Sequence, residues 1–441
     1  MQPFAMSAVA LLEAYRRREL SPVETIRSVL DRVARFEPHI HATYLLAPER
    51  ALADARASEA RWAKGEPKPL GTAASDLAPE PVDAPPAARL REAGAILFAK
   101  TTMPDYGMLS SGLSSFHPLT RNPWNLALNP GGSSAGAGAA GAAGYGPLHL
   151  GTDIGGSVRL PSGWCGLFGL KPSAGRVPID PPYIGRVAGP MTRSVADAAL
   201  MMATLSKPDS RDYTSLPPEA LDWRIEPRRL KGLRVGLVLD IGCGGPVAPE
   251  VRAEIERAAR DFEAAGAIVE PIAPFLTQDM LDGLDRFWRT RSWIDIKALA
   301  PERRAKILPF IREWAESSRD FSGETVFHGF SQILEMRRSA VGAIEPFDYL
   351  ISPTAPITAF PAQLASPSDD PLKPFPHIGF TVAFNMSEQP AASINCGFSP
   401  QGLPIGLQII GRRFDDVGVL SVAMAFEALR AGEARAWPEP P

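Results

Sequence analysis

Residues 232–272 set the strongest constraint on the fold. GLRVGLVLD (232–240) is a short apolar run. Residues 248–265 carry apolar side chains at helical spacing, and AIVEPI (267–272) is apolar again. Strand, helix and strand in succession argue for an α/β fold with a mainly buried sheet. The alternation recurs along the chain. AILFAK (95–100) reads as a strand after a helix at 84–93, and FDYLIS (347–352), AASINC (391–396) and LPIGLQIIG (403–411) read as strands before a helix at 415–430. Ser21-Pro22-Val23-Glu24 is a helix start, with serine as cap, proline first and glutamate placed to close a capping box. Further helices are expected over 50–64, 133–144, from a Ser194 cap to Leu205, and through most of 276–344. The Pro-rich stretches 66–86 and 353–376 are expected to be loops. No repeat and no shift in composition divides the chain, so one large α/β domain over 1–441 is expected.

The 441 residues are 45% hydrophobic and 22% charged, enough apolar material for a large core. The formal charge is −3, with the two signs interspersed, which argues against nucleic acid or an anionic membrane as partner. Three separated cysteines, Cys165, Cys243 and Cys396, offer neither a disulfide framework nor a CxxC metal pair. The start, MQPFAMSAVALLEAYRRREL, lacks the basic head and long apolar core of a signal peptide. Residues 131–150 are the nearest to an apolar span, but Gly and Ala dominate them. The expectation is a cytoplasmic protein.

Two glycine-rich stretches carry the chemistry. Pro130-Gly131-Gly132-Ser133-Ser134-Ala135-Gly136 is followed by Gly151-Thr152-Asp153-Ile154-Gly155-Gly156-Ser157. Consecutive glycines turn the backbone tightly and turn N–H groups outward. Donors aimed at one point hold a developing oxyanion, and a serine directly after them attacks the same carbonyl. Neither stretch continues into Gly-Lys-Ser/Thr, so a phosphate loop is not indicated. Gly132-Ser133-Ser134-Ala135-Gly136 also matches the G-x-S-x-G elbow, but RNPWNLALNP before it is a loop and not the strand that an elbow needs. His328 and His377 would be its only late histidine partners, and neither has a supporting motif.

Taken together, PGGSSAG and GTDIGGSVRLPSGWCGLFGLKPS resemble the amidase signature family, with Ser157 following Ser133 by 24 positions as the family's two catalytic serines do. ARLREAGAILFAKTTMPDYG, RNPWN, GPMTRSVADAALMM, FNMSEQPAASINCGF and GLPIGLQIIG extend the resemblance over most of the chain. The resemblance implies a single mixed sheet with helices on both faces, a signature core at about 85–205 and a variable helical region at about 276–345. It implies a Ser–Ser–Lys triad, with Ser157 as nucleophile and Ser133, after a cis peptide bond, as the bridging serine. Ile154, Gly155 and Gly156 would form the oxyanion hole. Ser134, Asp153 and Arg159 would support it. Neither metal nor cofactor is called for.

The lysine is where this chain departs from the family. The resemblance places it in a Val-rich strand ahead of ARLREAG, where this chain reads Trp62-Ala63-Lys64-Gly65-Glu66-Pro67-Lys68-Pro69-Leu70. Lys64 and Lys68 lie in a polar, Pro-rich stretch, and Lys100 and Lys171 match other parts of the pattern. Three explanations stay open: residues of the natural protein that this sequence omits, a deletion, or recruitment of Lys68. The expected function is hydrolysis of a small-molecule amide, with a homodimer as one option. One alternative is a non-catalytic binding or assembly subunit. The other is a glutamine-using amidotransferase subunit. Phe287, Trp288, Trp293, Phe310 and Trp314 serve either the core or the acyl pocket.

Overall fold

The computed structural model describes residues 2–63, 82–433 and 435–440. Ten strands are present among them: β1 (Thr43–Leu46), β2 (Ala99–Thr101), β3 (Leu148–Asp153), β4 (Phe168–Lys171), β5 (Val187–Thr192), β6 (Arg234–Leu237), β7 (Ile268–Pro271), β8 (Tyr349–Pro353), β9 (Ala391–Phe398) and β10 (Pro404–Ile410). Eight of them form one sheet in the order β3-β5-β4-β9-β10-β8-β6-β7, and β1 and β2 form a separate pair. β6 runs parallel to β7 and β8, while the other pairings in the sheet are antiparallel. The sheet is therefore mixed, as the resemblance implies.

Side-chain alternation explains why helices cover both faces. Along β8, Tyr349 and Ile351 enter one apolar cluster and Leu350 enters the other. The first cluster is closed by the Val195–Leu205, Pro249–Ala264 and Asp416–Leu429 helices, through Met202, Phe262 and Phe426. The second is closed by the Gln278–Lys297, Pro309–Glu316, Gly323–Ile344 and Gly379–Met386 helices, through Leu284, Trp314, Met336 and Val382. Each such side chain contributes roughly 1.5–3 kcal/mol by leaving water.

The expected helix starts are present. Ser21 accepts from Glu24 N–H while its own N–H donates to the Glu24 carboxylate, a complete capping box. Ser194 accepts from Asp197 N–H at 3.3 Å. The structure differs at AILFAK, where only Ala99–Thr101 is strand and pairs with β1 rather than the large sheet. Among the described residues β3 is the last strand on that side of the sheet. The 66–86 loop expectation falls largely on residues 64–81, outside the described residues. No helix among the described residues is long and apolar enough to cross a membrane.

Candidate functional site

The site forms where β3 ends. The chain turns at Ile154–Val158 and enters the Arg159–Cys165 helix. Asp153 organises this turn: its carboxylate accepts from the N–H groups of Gly156 at 2.8 Å, Val158 at 3.1 Å and Arg159 at 3.3 Å. Those donors would otherwise lie unpaired at a buried helix start. Gly156 has φ +127°, and a Cβ there would meet Thr381 Oγ1 at 2.6 Å, so backbone and packing both require glycine. Thr381 in turn donates from Oγ1 to Gly155 O at 2.6 Å.

Arg159 completes the brace. It is fully buried and donates to Asp153, Gln408 Oε1, Asn385 Oδ1 and Thr381 O. Asn385 Nδ2 also donates to Asp153 Oδ1 at 2.8 Å. Burial alone would raise the Asp153 carboxyl, but the charge and hydrogen bonds of Arg159 outweigh it and hold the group well below the usual carboxylate range. Asp153 is thereby held as a fixed anion, a strut rather than a proton carrier.

The second glycine-rich stretch is locked against the first. Asn129 Oδ1 accepts from Gly131 N–H at 2.8 Å, and Cys165 Sγ donates to Pro130 O at 3.3 Å. The Gly132–Ser133 peptide bond is cis. Ser134 N–H donates to Ser157 O at 3.3 Å, while Ser134 Oγ accepts from Thr152 N–H at 3.2 Å and donates to Thr152 O at 3.3 Å. Ser133, Ser134 and Ser157 are thus brought together from stretches 24 positions apart. Ser133 is 5% exposed and Ser157 9%, so both hydroxyls stand in a site that excludes most water.

Of the three N–H groups that the resemblance implies for an oxyanion hole, one already has a partner. The Gly156 N–H is taken by Asp153 Oδ1. Ile154 and Gly155 N–H groups donate to no acceptor among the described residues. Trp288 lies over this turn, 3.1 Å from where a Gly155 Cβ would sit, with Ile378 at 3.4 Å. Of the five aromatics weighed from sequence, Trp288 therefore borders the turn. Trp314 donates to Asp285 Oδ1, Trp293 lies under Arg304 and Arg319, and Phe287 and Phe310 pack on the core.

The lysines divide. Lys64 and Lys68 lie outside the described residues. Lys100 is exposed on β2. Lys171 is fully buried at the end of β4, and its Nζ donates to Pro172 O at 2.9 Å. Burial, helped by the Arg159 charge, lowers it to about 7. Among the described residues no lysine hydrogen-bonds either serine. His377 is buried against Trp164, and His328 faces Asp279 from the exposed side of the Gly323–Ile344 helix; neither hydrogen-bonds a serine, so the elbow reading gains no partner.

Sequence reasoning assigned no role to Thr381, Asn385, Gln408 or Lys171. The first three lie more than 200 positions from the turn they hold, within or near stretches quoted only for their resemblance. A cavity of about 1280 Å³ opens between the N-terminal helices, β2 and β3. Neither serine lines it, and its rim includes Ser58 and Val82, on either side of residues 64–81, so it is not taken as the substrate site.

The two glycine-rich turns are joined by the Ser134–Ser157 hydrogen bond, with the Ile154 and Gly155 N–H groups unpaired beside Ser157 among the described residues. The chain belongs to the amidase family, whose model matches residues 64–420. It is 34% identical to a glutamyl-tRNA(Gln) amidotransferase subunit of Moorella thermoacetica, over 97% of each chain, and 32% identical to its namesake in Geobacter metallireducens, over 99% of each. Those alignments run over 492 and 497 positions, more than this chain's 441 residues, so the relatives carry residues with no counterpart here. Among solved structures, a bacterial aryl acylamidase of the amidase signature family superposes with a TM-score of 0.88 at 30% identity, over 96% of each chain. The peptide amidase of Stenotrophomonas maltophilia, at 24% identity and a TM-score of 0.82 over the whole of each chain, shares the fold.

These relatives correct the expected partners. An expectation of no nucleic acid does not fit relatives named for a tRNA amidotransferase. Net charge was the ground for that expectation. It sums the whole surface and is silent on the assembly that a chain serves.

Proposed function

We propose that this protein transfers the acyl group of an amide through Ser157, and that the amide is glutamine, in the role of an amidotransferase subunit working beside a partner on a tRNA-linked reaction. The observation that carries this reading is the agreement of its relatives. Eight curated proteins, 31–34% identical and matched over 94–99% of each chain, bear the same subunit name. Ser157 Oγ attacks the amide carbon while its proton passes to Ser133 Oγ, Ser133 passes its own hydroxyl proton on to the amide nitrogen, and the C–N bond breaks to release ammonia and leave the acyl group on Ser157. The oxyanion is held by the N–H groups of Ile154 and Gly155, and water later releases the acid. The family resemblance calls for a lysine beyond Ser133. The reading includes a cytoplasmic protein, which suits three unpaired cysteines.

Ammonia release from glutamine tests it, for the purified chain alone and with any copurifying partner. Glutamate and ammonia from the native protein, and neither from Ser157→Ala, support the proposal. A folded chain that leaves glutamine intact under both conditions sinks it.

A second reading has its own support. The apolar wall of Trp288 and Ile378 at Gly155 suits a small apolar or aryl amide, and the aryl acylamidase superposes closely. Turnover of an anilide without turnover of glutamine would favour hydrolysis of such amides. A folded chain that resists a fluorophosphonate probe would favour the non-catalytic role in binding or assembly.

A further inference from the structure

The helix that follows Ser133 and Ser134, Ala135–Ala143, reads AGAGAAGAA and is buried throughout. None of its side chains can hydrogen-bond. Its glycines let neighbours approach closely, since a Cβ would meet Ala42 O at Gly136, Pro161 (2.9 Å) at Gly138 and Leu167 (2.7 Å) at Gly141, and hydrogen bonds hold its two ends. At the front, Gly136 N–H donates to Thr102 O at 2.9 Å and Ser134 N–H to Ser157 O at 3.3 Å.

The back end is held by two arginines. Arg193 donates from Nε to Gly141 O and from Nη2 to Ala142 O, both at 2.9 Å, and Arg32 donates from Nε to Ala143 O at 2.9 Å. Gly141 O also accepts from the Gly144 N–H at 3.3 Å, and cations at this end meet the negative end of the helix dipole. The buried Arg32 and the half-buried Arg193 repel each other: partial burial and the Arg32 charge bring Arg193 down to about 10. The C-terminal tail answers them. Glu439 accepts from Arg32 Nη1 at 2.5 Å, Pro438 O accepts from Arg32 Nη2 at 2.7 Å, and the Trp437 ring lies 4.4 Å from the Arg193 guanidinium.

We propose that Trp437–Glu439 is a clamp which, through Arg32 and Arg193, sets the axial position of the Ala135–Ala143 helix and so the placement of Ser133. The helix is about 13 Å long. A displacement at its back is carried to its front, because close-packed neighbours along its length transmit strain. Arg32, Arg193 and Glu439 are positioning residues, and none touches substrate. The effect on reactivity rests on the role proposed for Ser133 and Ser157; the clamp itself does not.

The test uses the full chain, Glu439→Gln, Glu439→Asp and a chain ending at Ala436, all well below their melting temperatures. Two quantities are read: the rate of Ser157 labelling by a fluorophosphonate, and hydrogen exchange at the Gly136 and Gly138 amides. The expected result is labelling slower by about 10- to 100-fold in the shortened chain, given how steeply reactivity falls with misplacement of the order of 1 Å. Exchange at both amides should be faster, with a smaller change of the same kind in Glu439→Gln and recovery in Glu439→Asp. Unchanged labelling and exchange in a folded shortened chain overturn the proposal. So does a loss that follows melting temperature alone and is not recovered by Glu439→Asp. If the native chain is not labelled at all, the Ser157 reading fails, and the exchange rates alone decide the clamp.

Discussion

Asp153 and Arg159 face each other through two parallel hydrogen bonds, Nε to Oδ2 at 3.0 Å and Nη2 to Oδ1 at 2.8 Å, with both side chains fully out of water. Six positions apart in the chain, they bracket the turn that carries Ser157. Removing one partner strands a buried charge. Asp153→Asn is expected to cost about 3–5 kcal/mol, measured by chemical denaturation. The depressed Asp153 carboxyl contributes stability that is complete above its ordinary value of 3.8 and is lost only as pH falls through its lowered value. The native chain should therefore keep this part of its stability at pH 4, and an equal acid sensitivity of native and Asp153→Asn chains would refute the assignment.

Ser157→Ala should lower turnover on the order of 10⁴-fold or more, and Ser133→Ala on the order of 10³-fold, with circular dichroism unchanged. The check is steady-state kinetics on whichever amide the native chain turns over. Full activity in Ser157→Ala would remove the serine mechanism.

Trp288 packs over Gly155 from the Gln278–Lys297 helix. Trp288→Ala should destabilise the chain by about 3–5 kcal/mol, since it leaves a cavity. It should also shift preference toward bulkier acyl groups. A thermal melt and a series of amides of increasing acyl size read the two effects. An unchanged size preference would place the acyl group elsewhere.

Lys171 gives the chain a slope of stability against pH. Its value is about 7 when folded and 10.5 ordinarily. Between those limits the unfolded chain holds a proton that the folded chain has released, so stability rises with pH. The slope for one proton is about 1.4 kcal/mol per pH unit. Lys171→Met should flatten that rise between pH 7.5 and 9.5 in urea titrations. Parallel curves for the two chains would show that Lys171 stays charged in the fold.

The sequence by itself determined the α/β class, because strand and helix periods are local patterns that survive without tertiary context. It also pointed to Ser133 and Ser157, through the resemblance of the two glycine-rich stretches and their separation to the amidase signature family. β3, β4 and β5 escaped notice: LHLGTD, FGLK and VAGPMT mix glycine, proline and polar residues, and only their pairing with neighbouring strands makes them part of the sheet. Tertiary structure alone decided what supports the serines. Thr381, Asn385 and Gln408 reach the turn from over 200 positions away, and hydrogen bonds across such separations leave no period in the chain. It also decided which N–H groups of the turn stay unpaired among the described residues, those of Ile154 and Gly155. Sequence offered three N–H groups, and the folded turn commits Gly156 to Asp153, because a buried carboxylate must be satisfied before anything else in reach.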